Sequence, residues 1–294
     1  MKDFLATLLN VAVLVFAASS MLSVGFAYKA MEVLGPFRNV YGVIRSLVAN
    51  FVLVPILALL ITQALPLAQP IQTGLMLIAM AAGAPFLIKL TEHAEHDVGF
   101  SATVLLLLVT VTVLYIPLVM PLALPGARIS PGAIARPLLL AMLLPLGFGL
   151  GVSEFFPLWA ERLQPAMSRI SSIALAVLVG ATCLTHFRGI LNLFGTGAIL
   201  ATLLLIVGAF LIGYALGGRN LERRGVLGLA TGQRNIAAAT VVATQGFADP
   251  GILVMVVTAS LVDLAVLFPI ARILRRRLAR HTAAETGTEL GNET

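Results

Sequence analysis

Long apolar runs, separated by short polar segments, follow one another along almost the whole chain of 294 residues. A helix needs about 20 mostly apolar residues to cross about 30 Å of membrane hydrocarbon. The runs therefore predict about nine transmembrane helices, with no soluble domain between them. The predicted spans are 4–28, 46–65, 71–88, 98–124, 136–156, 167–187, 196–217, 225–247 and 251–274.

The composition strengthens this prediction. Charged residues make up 11% of the sequence, against about a quarter in soluble domains. The net charge of +6 does not indicate nucleic-acid binding, because the basic residues gather at span ends and in one terminal cluster. A single cysteine, Cys183, excludes a disulfide framework. The sequence thus predicts an all-α membrane protein that contacts the lipid bilayer and has no nucleic-acid partner.

Basic residues in the short loops predict the orientation, because lysine and arginine favour the cytoplasmic side. They follow the first, seventh and ninth spans, which end on one face, whereas Arg128 and Arg136 fall on the other. From this distribution we expect the N-terminus outside and the C-terminus in the cytoplasm. Because no transit-like leader is evident, we expect the membrane to be a bacterial plasma membrane. The basic residues on the expected cytoplasmic face are Lys29, Arg38, Arg45, Arg219, Arg223, Arg224, Arg272, Arg275, Arg276, Arg277 and Arg280.

Two predicted spans contain residues that weaken a helix near its middle. The third contains Gly83-Ala84-Pro85 and ends at Lys89, and the eighth contains Gly232 followed by Arg234-Asn235. Proline removes a backbone donor and glycine lowers helix stability, so we expect helix breaks at these glycines and the proline. Matched interruptions in two halves of a chain are typical of inverted-repeat transporters, whose binding site lies at the breaks.

In these segments the sequence resembles the bile acid:sodium symporter family. Residues 50–55, Asn-Phe-Val-Leu-Val-Pro, are similar to the family's Gln-Phe-x-x-x-Pro, and residues 74–104 and 231–271 are similar to its crossing helices and the helices that follow. The resemblance implies inverted repeats with two discontinuous crossing helices, and a core domain that moves against a panel domain. One polytopic domain, 1–280, then contains a core (46–124 and 196–274) and a panel (4–28 and 136–187), and a disordered tail follows at 281–294.

The residues that bind sodium in the family are largely absent. Leu87 and Ile88 stand where the first crossing helix of the family has serine and asparagine ligands. The family's second crossing helix reads Glu-x-Gly-x-Gln-Asn, and here its glutamate and glutamine have become Ala230 and Arg234. Arginine only donates hydrogen bonds and keeps its positive charge, so it opposes a sodium ion in the same place. We expect transport without the family's two-sodium coupling, and coupling to protons stays open.

Polar residues near the breaks are candidate site residues. A guanidinium at a half-helix end adds to a field that attracts anions. Charges at membrane depth are costly, so Lys89, Asp263 and Arg234 are predicted to compensate one another or to couple an ion. Asp263 either exchanges partners during transport or forms a static ion pair that replaces sodium. The predicted substrate contacts are Arg234, Asn235, Asn50 and Ser101.

The predicted function is secondary active transport of a small organic anion, bile-acid-like or another carboxylate, by alternating access. Two alternatives stay open: a non-transporting binding or sensory module of the same fold, and a sodium-coupled symporter with a different ion site. No serine–histidine arrangement or aspartyl pair is present, and residues 92–97, Glu-His-Ala-Glu-His-Asp, lack a specific metal spacing. The sequence therefore predicts no enzyme, no metal site and no cofactor. Substrate identity, direction and oligomeric state do not follow from it.

Overall fold

The computed structural model describes residues 2–29, 40–123, 131–193 and 195–292, and within them the regular structure is helical, with no strand. This confirms the predicted all-α class. Seven of the described helices are long and apolar enough to cross a membrane, which supports an integral membrane protein. These helices cover Thr7–Ala27, Val40–Ala64, Val98–Leu122, Ile134–Phe155, Pro157–Thr182, Ala198–Leu216 and Pro250–His281.

We number the helices in chain order. Two of them, α2 and α6, each continue through a π turn, at Ala49–Leu53 and Leu139–Leu143 respectively. A proline follows shortly after each π turn and cannot donate a helical hydrogen bond, which explains the local change of pitch. The helices are α1 (Lys2–Ala27), α2 (Val40–Val48 and Val54–Ala64), α3 (Gln69–Met80), α4 (Leu87–His93), α5 (Val98–Ala123), α6 (Pro131–Leu138 and Leu144–Phe155), α7 (Pro157–Leu193), α8 (Ala198–Leu216), α9 (Leu221–Gly232), α10 (Ile236–Gly246) and α11 (Pro250–Asn292).

Several helix ends differ from the predicted spans. Helix α7 begins before the predicted position 167, because helix-forming residues that include Glu161, Arg162 and Gln164 extend it beyond its apolar part. Helix α2 begins at Val40, before the predicted position 46, in a mainly apolar stretch. Helix α11 continues to Asn292, whereas the sequence predicts a disordered tail at 281–294. Alanine, glutamate and leucine in that segment favour growth of a helix that has already formed. Arg38 and Arg128, used in the orientation argument, lie outside the described residues, as does the side chain of Cys183.

The helices pack in two groups. Helix α1 packs mainly on α6 and α7, and α8 packs mainly on α9, with α3 and α10 against α11. Gly25 of α1 and Gly149 of α6 lie so close that a Cβ on Gly25 would come within 2.8 Å of the Gly149 Cα. Small residues of this kind let membrane helices approach each other closely. The first group contains the segments predicted as the panel; its movement as a separate domain stays a prediction.

Basic loop residues gather at one end of the bundle. Arg45, Arg219 and Arg223 line one pocket of about 290 Å³. Arg275 forms an ion pair with Glu95 at 2.6 Å. The sequence assigns the segments that contain these residues to one membrane face. Their proximity in the structure agrees with that assignment. The identity of that face as cytoplasmic stays a prediction.

Candidate substrate and ion site at the helix crossing

The two interrupted spans contact each other at their breaks. Residues 81–86 separate α3 from α4, and residues 233–235 separate α9 from α10. The backbone N–H of Asn235 donates to the Ala81 carbonyl at 2.8 Å, and its side-chain amide donates to the Gly83 carbonyl at 2.6 Å. Carbonyl groups that lose their helical hydrogen bonds at the first break therefore accept hydrogen bonds from the second break. Such pairing is required in a membrane interior, where no water is available.

The first break is held against α5. Thr112 donates its hydroxyl to the Ala82 carbonyl at 2.9 Å and accepts from the Ala82 N–H at 3.1 Å. Gly83 has a φ of +77°, and a Cβ there would meet the backbone nitrogen of Val109. Pro85 also lies in this segment, where its missing N–H removes no helical hydrogen bond. Glycine is thus required both for the backbone conformation and for the close approach to α5.

Thr112→Val should loosen the crossing without changing its charge. Valine keeps the shape but leaves the Ala82 N–H and C=O buried without partners, at about 1–3 kcal/mol for each group. We expect the thermal unfolding temperature of the purified protein to fall by several degrees. Thr110→Val is the matched control, because the Thr110 hydroxyl bonds to the Leu106 carbonyl of its own helix on an exposed face. Equal losses in the two variants would contradict the assigned role of Thr112.

The Arg234 guanidinium is fully buried in the crossing. Its Nε donates to the Ile78 carbonyl at 3.1 Å, and Nη2 donates to the Ala79 carbonyl at 2.5 Å. Nη1 donates to the Thr231 carbonyl at 2.9 Å and to Asn50 Oδ1 at 2.8 Å. Four of the five guanidinium donors are therefore used. Every one of these acceptors is a neutral oxygen.

The main-chain acceptors lie in the last turns of two half-helices. The final carbonyls of a helix have no intrahelical donor, and the C-terminal end of a helix carries a partial negative charge. Carbonyls at the ends of α3 and α9 therefore converge on the guanidinium. Half-helix ends and unwound carbonyls coordinate cations in transporters with interrupted helices. Here the Arg234 guanidinium occupies the position where a bound cation would lie between the half-helix ends.

Asn50 holds the guanidinium from α2. It lies in the π turn before Pro55, whose missing N–H leaves the Phe51 carbonyl to accept instead from the Tyr115 hydroxyl at 2.7 Å. The Asn50 amide nitrogen donates to the Ser46 carbonyl at 3.0 Å and to Thr231 Oγ1 at 3.1 Å. These bonds direct the amide oxygen toward Arg234.

A cavity of about 410 Å³ lies between the crossing and helices α1 and α7. Lys89, Arg234, Asn235 and Asp263 all line it, so the structure brings these predicted site residues together. Hydroxyl groups dominate the polar part of the α1 and α7 wall. The hydroxyls of Ser20 and Ser171 lie 2.5 Å apart across the two helices. The apolar lining from these helices includes Phe16, Val24, Leu175 and Val179.

The other two predicted substrate contacts, Asn50 and Ser101, are not among the described residues that line this cavity. Asn50 lies behind Arg234 and holds it. The Ser101 hydroxyl donates to the Val98 carbonyl of its own helix at 2.9 Å. A substrate-binding role for either residue stays a prediction that this geometry does not support.

Asp263 of α11 is 1% exposed, yet it borders the cavity. No hydrogen bond of ordinary geometry reaches either carboxylate oxygen, although the Gln233 side chain and the Arg234 main chain face it. In the described part of the chain, no ion pair within 4.0 Å joins Asp263 to Arg234 or Lys89. The predicted ion pair is therefore not formed in this conformation, because Arg234 directs its donors to neutral oxygens.

Sequence reasoning missed most of the groups that hold Arg234. The acceptors at Ile78 and Ala79 are main-chain carbonyls. Every residue has such a carbonyl, so the amino-acid types at these positions do not reveal the contact. Gln233 and Ser260 also line the cavity, and their polarity within apolar segments could have identified them. Thr231 supplies both a carbonyl to Arg234 and a hydroxyl to Asn50.

Comparison with known proteins identifies the family. The sequence profile of the Sodium Bile acid symporter family matches residues 14–193, more than half of the chain. The chain belongs to the sodium bile acid symporter family. The match contains the first interrupted span, α7 and the second half of α1, and it ends before the second interrupted span. It confirms the family resemblance.

Curated relatives in this family carry transporter names. The probable sodium/metabolite cotransporter BASS6, chloroplastic, of Arabidopsis thaliana is 25% identical over 244 residues, which cover 78% of this chain and 59% of the relative. The probable sodium/metabolite cotransporter BASS2, chloroplastic, of Oryza sativa subsp. japonica is 25% identical over 237 residues, covering 78% and 56%. The uncharacterized sodium-dependent transporter YocS of Bacillus subtilis is 25% identical over 208 residues, covering 69% and 62%. The chain spans less than two thirds of the length of each.

Proposed function

We propose that the protein is a secondary active transporter of a small organic anion that works by alternating access without bound sodium. The observation that carries the proposal is the Arg234 guanidinium among neutral oxygens at the ends of α3 and α9. A sodium ion at a helix crossing uses the same class of ligand. Arg234 supplies a covalently attached positive charge there, so the crossing needs no sodium to hold its carbonyls together.

The residues at the family's sodium-ligand positions support this proposal. By the resemblance, Leu87 and Ala230 replace a serine and a glutamate, and both are buried apolar side chains. Neither provides an oxygen ligand, and Asn50 already gives its amide oxygen to Arg234. A sodium ion at these positions would therefore find no carboxylate in place of the family's glutamate and would face a fixed positive charge.

The cavity has groups that suit a carboxylate. Lys89 is exposed in the cavity wall with its Nζ 5.8 Å from the centre of the Phe86 ring. The first residues of α10, Ile236 and Ala237, line the same space, and the N-terminal end of a helix carries a partial positive charge. Arg234 keeps one donor beyond those used by the protein. The volume is at the lower end of the range of about 300–1,000 Å³ for small-molecule sites.

The position of the cavity supports alternating access. Helices α1 and α7 form one wall, and the crossing with α4 and α11 forms the other. Movement between these two walls would change the side from which the cavity can be reached. An anion held at the crossing would then leave on the opposite side of the membrane.

A counterflow screen tests the proposed function. Proteoliposomes that contain the full-length chain are loaded with an unlabelled carboxylate, and uptake of the same labelled compound is followed in sodium-free choline buffer. Cholate and pyruvate are the first probes, because they are a large and a small carboxylate. We expect saturable counterflow with at least one member of a carboxylate panel. Binding without flux would favour the non-transporting module, and flux only with sodium would favour a sodium symporter.

Lys89→Gln should weaken recognition of the anion. Glutamine removes the positive charge that the cavity offers to a carboxylate, so we expect the KM of the transported acid to rise about tenfold with a smaller change in the maximal rate. Lys89→Arg retains the charge and is the matched control, with a KM close to that of the unchanged protein. A KM that stays constant in Lys89→Gln would remove Lys89 from the substrate site.

A further inference from the structure

Two buried oxygen-bearing side chains at the edge of the cavity lack hydrogen-bond partners and face each other. The Asp263 carboxylate has no partner on either oxygen, and Gln233 has none on its Oε1. The Gln233 side chain faces Asp263 from the second break. The Gln233 amide presents a donor toward the ionised carboxylate, while its Oε1 has no partner. If the amide rotates, Oε1 faces Asp263 instead, and a protonated Asp263 can donate its O–H to it.

Burial makes this arrangement costly without that proton. A charged side chain at membrane depth costs about 2.5–3.5 kcal/mol on insertion scales, and a buried charge without a partner is further penalised. Asp263 is 1% exposed and Gln233 is 3% exposed. Asp263 nevertheless borders the cavity. A group that is both enclosed and adjacent to the transport cavity can exchange a proton during the transport cycle.

The surroundings of Asp263 provide two different environments for it. Arg234 faces it from the crossing, but the guanidinium donates to neutral oxygens. Helix α4 contributes Lys89 and Glu92 to the cavity. Tyr28, directly after α1, lines the cavity too, and the described polar residues of α7 in the lining are Gln164 and serines, which carry no charge. A neutral Asp263 suits the apolar wall of α1 and α7, whereas an ionised one is attracted to Lys89 and Arg234.

We propose that Asp263 binds the proton that is transported together with the organic anion. The proposal rests on the proposed function, because coupling requires transport. A proton from water on the side of higher proton concentration adds to one carboxylate oxygen, and the resulting O–H donates to Gln233 Oε1. After the cavity opens to the other side, the proton leaves to water and the carboxylate forms again. One proton with one monocarboxylate makes the cycle electrically neutral.

Asp263→Asn in proteoliposomes tests the coupling. Asparagine is a permanently neutral replacement of nearly the same shape. The ratio of uptake with an inward proton gradient to uptake without one should fall to about one, whereas the ratio for the unchanged protein should be several-fold higher. Asp249→Asn is the matched control, because it makes the same chemical change at an exposed carboxylate outside the cavity, where Asp249 accepts from the Gly251 N–H; it should keep the stimulation. Stimulation that persists in Asp263→Asn would overturn the proposal.

Infrared difference spectroscopy on the purified protein provides a test without substrate. Between about pH 5 and about pH 9, the unchanged protein should show a protonated carboxyl band that titrates and is absent from Asp263→Asn. A carboxylate that stays ionised over this range would overturn the proposal and would identify Asp263 as a site for a cationic group. Absence of counterflow in every protein would overturn the proposed function and with it the coupling, whereas the titrating band would still show that Asp263 binds a proton.

Discussion

Replacing Arg234 by glutamine should cause the largest loss of stability of any single substitution at the crossing. Glutamine has two donors in place of five, so buried carbonyls at Ile78, Ala79 and Thr231 lose partners. Hydrogen bonds to charged groups contribute about 1.5–3 kcal/mol each, and removing one member of a buried charged network costs about 3–5 kcal/mol. We expect the unfolding temperature to fall by about 10 °C.

Sodium should partly reverse this loss. In Arg234→Gln the carbonyl oxygens of the two half-helices converge on a space without a cation, so added sodium can bind there and raise the unfolding temperature. Choline at the same ionic strength should have no such effect, and neither salt should stabilise the unchanged protein specifically. The matched control is Arg224→Gln, because Arg224 donates to the Tyr214 carbonyl at 3.3 Å away from the crossing. Sodium stabilisation of the unchanged protein, without any in Arg234→Gln, would contradict the role of Arg234 as the resident cation.

Gly83→Ala should have the second largest effect. Its φ of +77° is a left-handed conformation that costs a residue with a Cβ about 1–2 kcal/mol. The added methyl would also meet the Val109 backbone nitrogen and the Leu108 carbonyl carbon, and overpacking of this kind costs about 1–3 kcal/mol. We expect about 3 kcal/mol of destabilisation, with a lower yield of monodisperse protein from detergent.

Gly180→Ala is the control for this substitution. A Cβ at Gly180 in α7 would meet nothing within 4 Å, and alanine favours a helix over glycine by about 1 kcal/mol. Unchanged or slightly higher stability is therefore expected, as measured by thermal unfolding of both purified variants. Similar behaviour of Gly83→Ala and Gly180→Ala would show that the first break does not depend on the conformation of Gly83.

Much of the fold could be predicted from the sequence, because a membrane imposes long apolar helices. The apolar runs locate α1, α5 and α8 closely. The positions of the breaks were also accessible, since Gly83, Pro85 and Gly232 interrupt otherwise apolar spans and lie in or beside the two non-helical segments. Helix ends were less accessible, because α7 begins ten residues before its predicted apolar span, in a stretch that includes Glu161 and Arg162.

The arrangement of charges could not be predicted from residue types. An arginine and an aspartate in apolar spans indicate an ion pair, but main-chain carbonyls at two helix ends hold Arg234 instead. The position of a carbonyl depends on where a helix ends in three dimensions, which no side chain reports. Ser101 shows the opposite error: its polarity indicates a contact site, yet its hydroxyl bonds within α5.

A sodium titration of transport tests the central role of Arg234 most directly. Proteoliposomes with the full chain are assayed for the initial uptake rate of a carboxylate that gives counterflow, while sodium replaces choline at constant ionic strength and pH. We expect a rate that does not change with sodium concentration. A steep rise of the rate with sodium would show that the ion takes part in the cycle, and would contradict Arg234 as its fixed replacement.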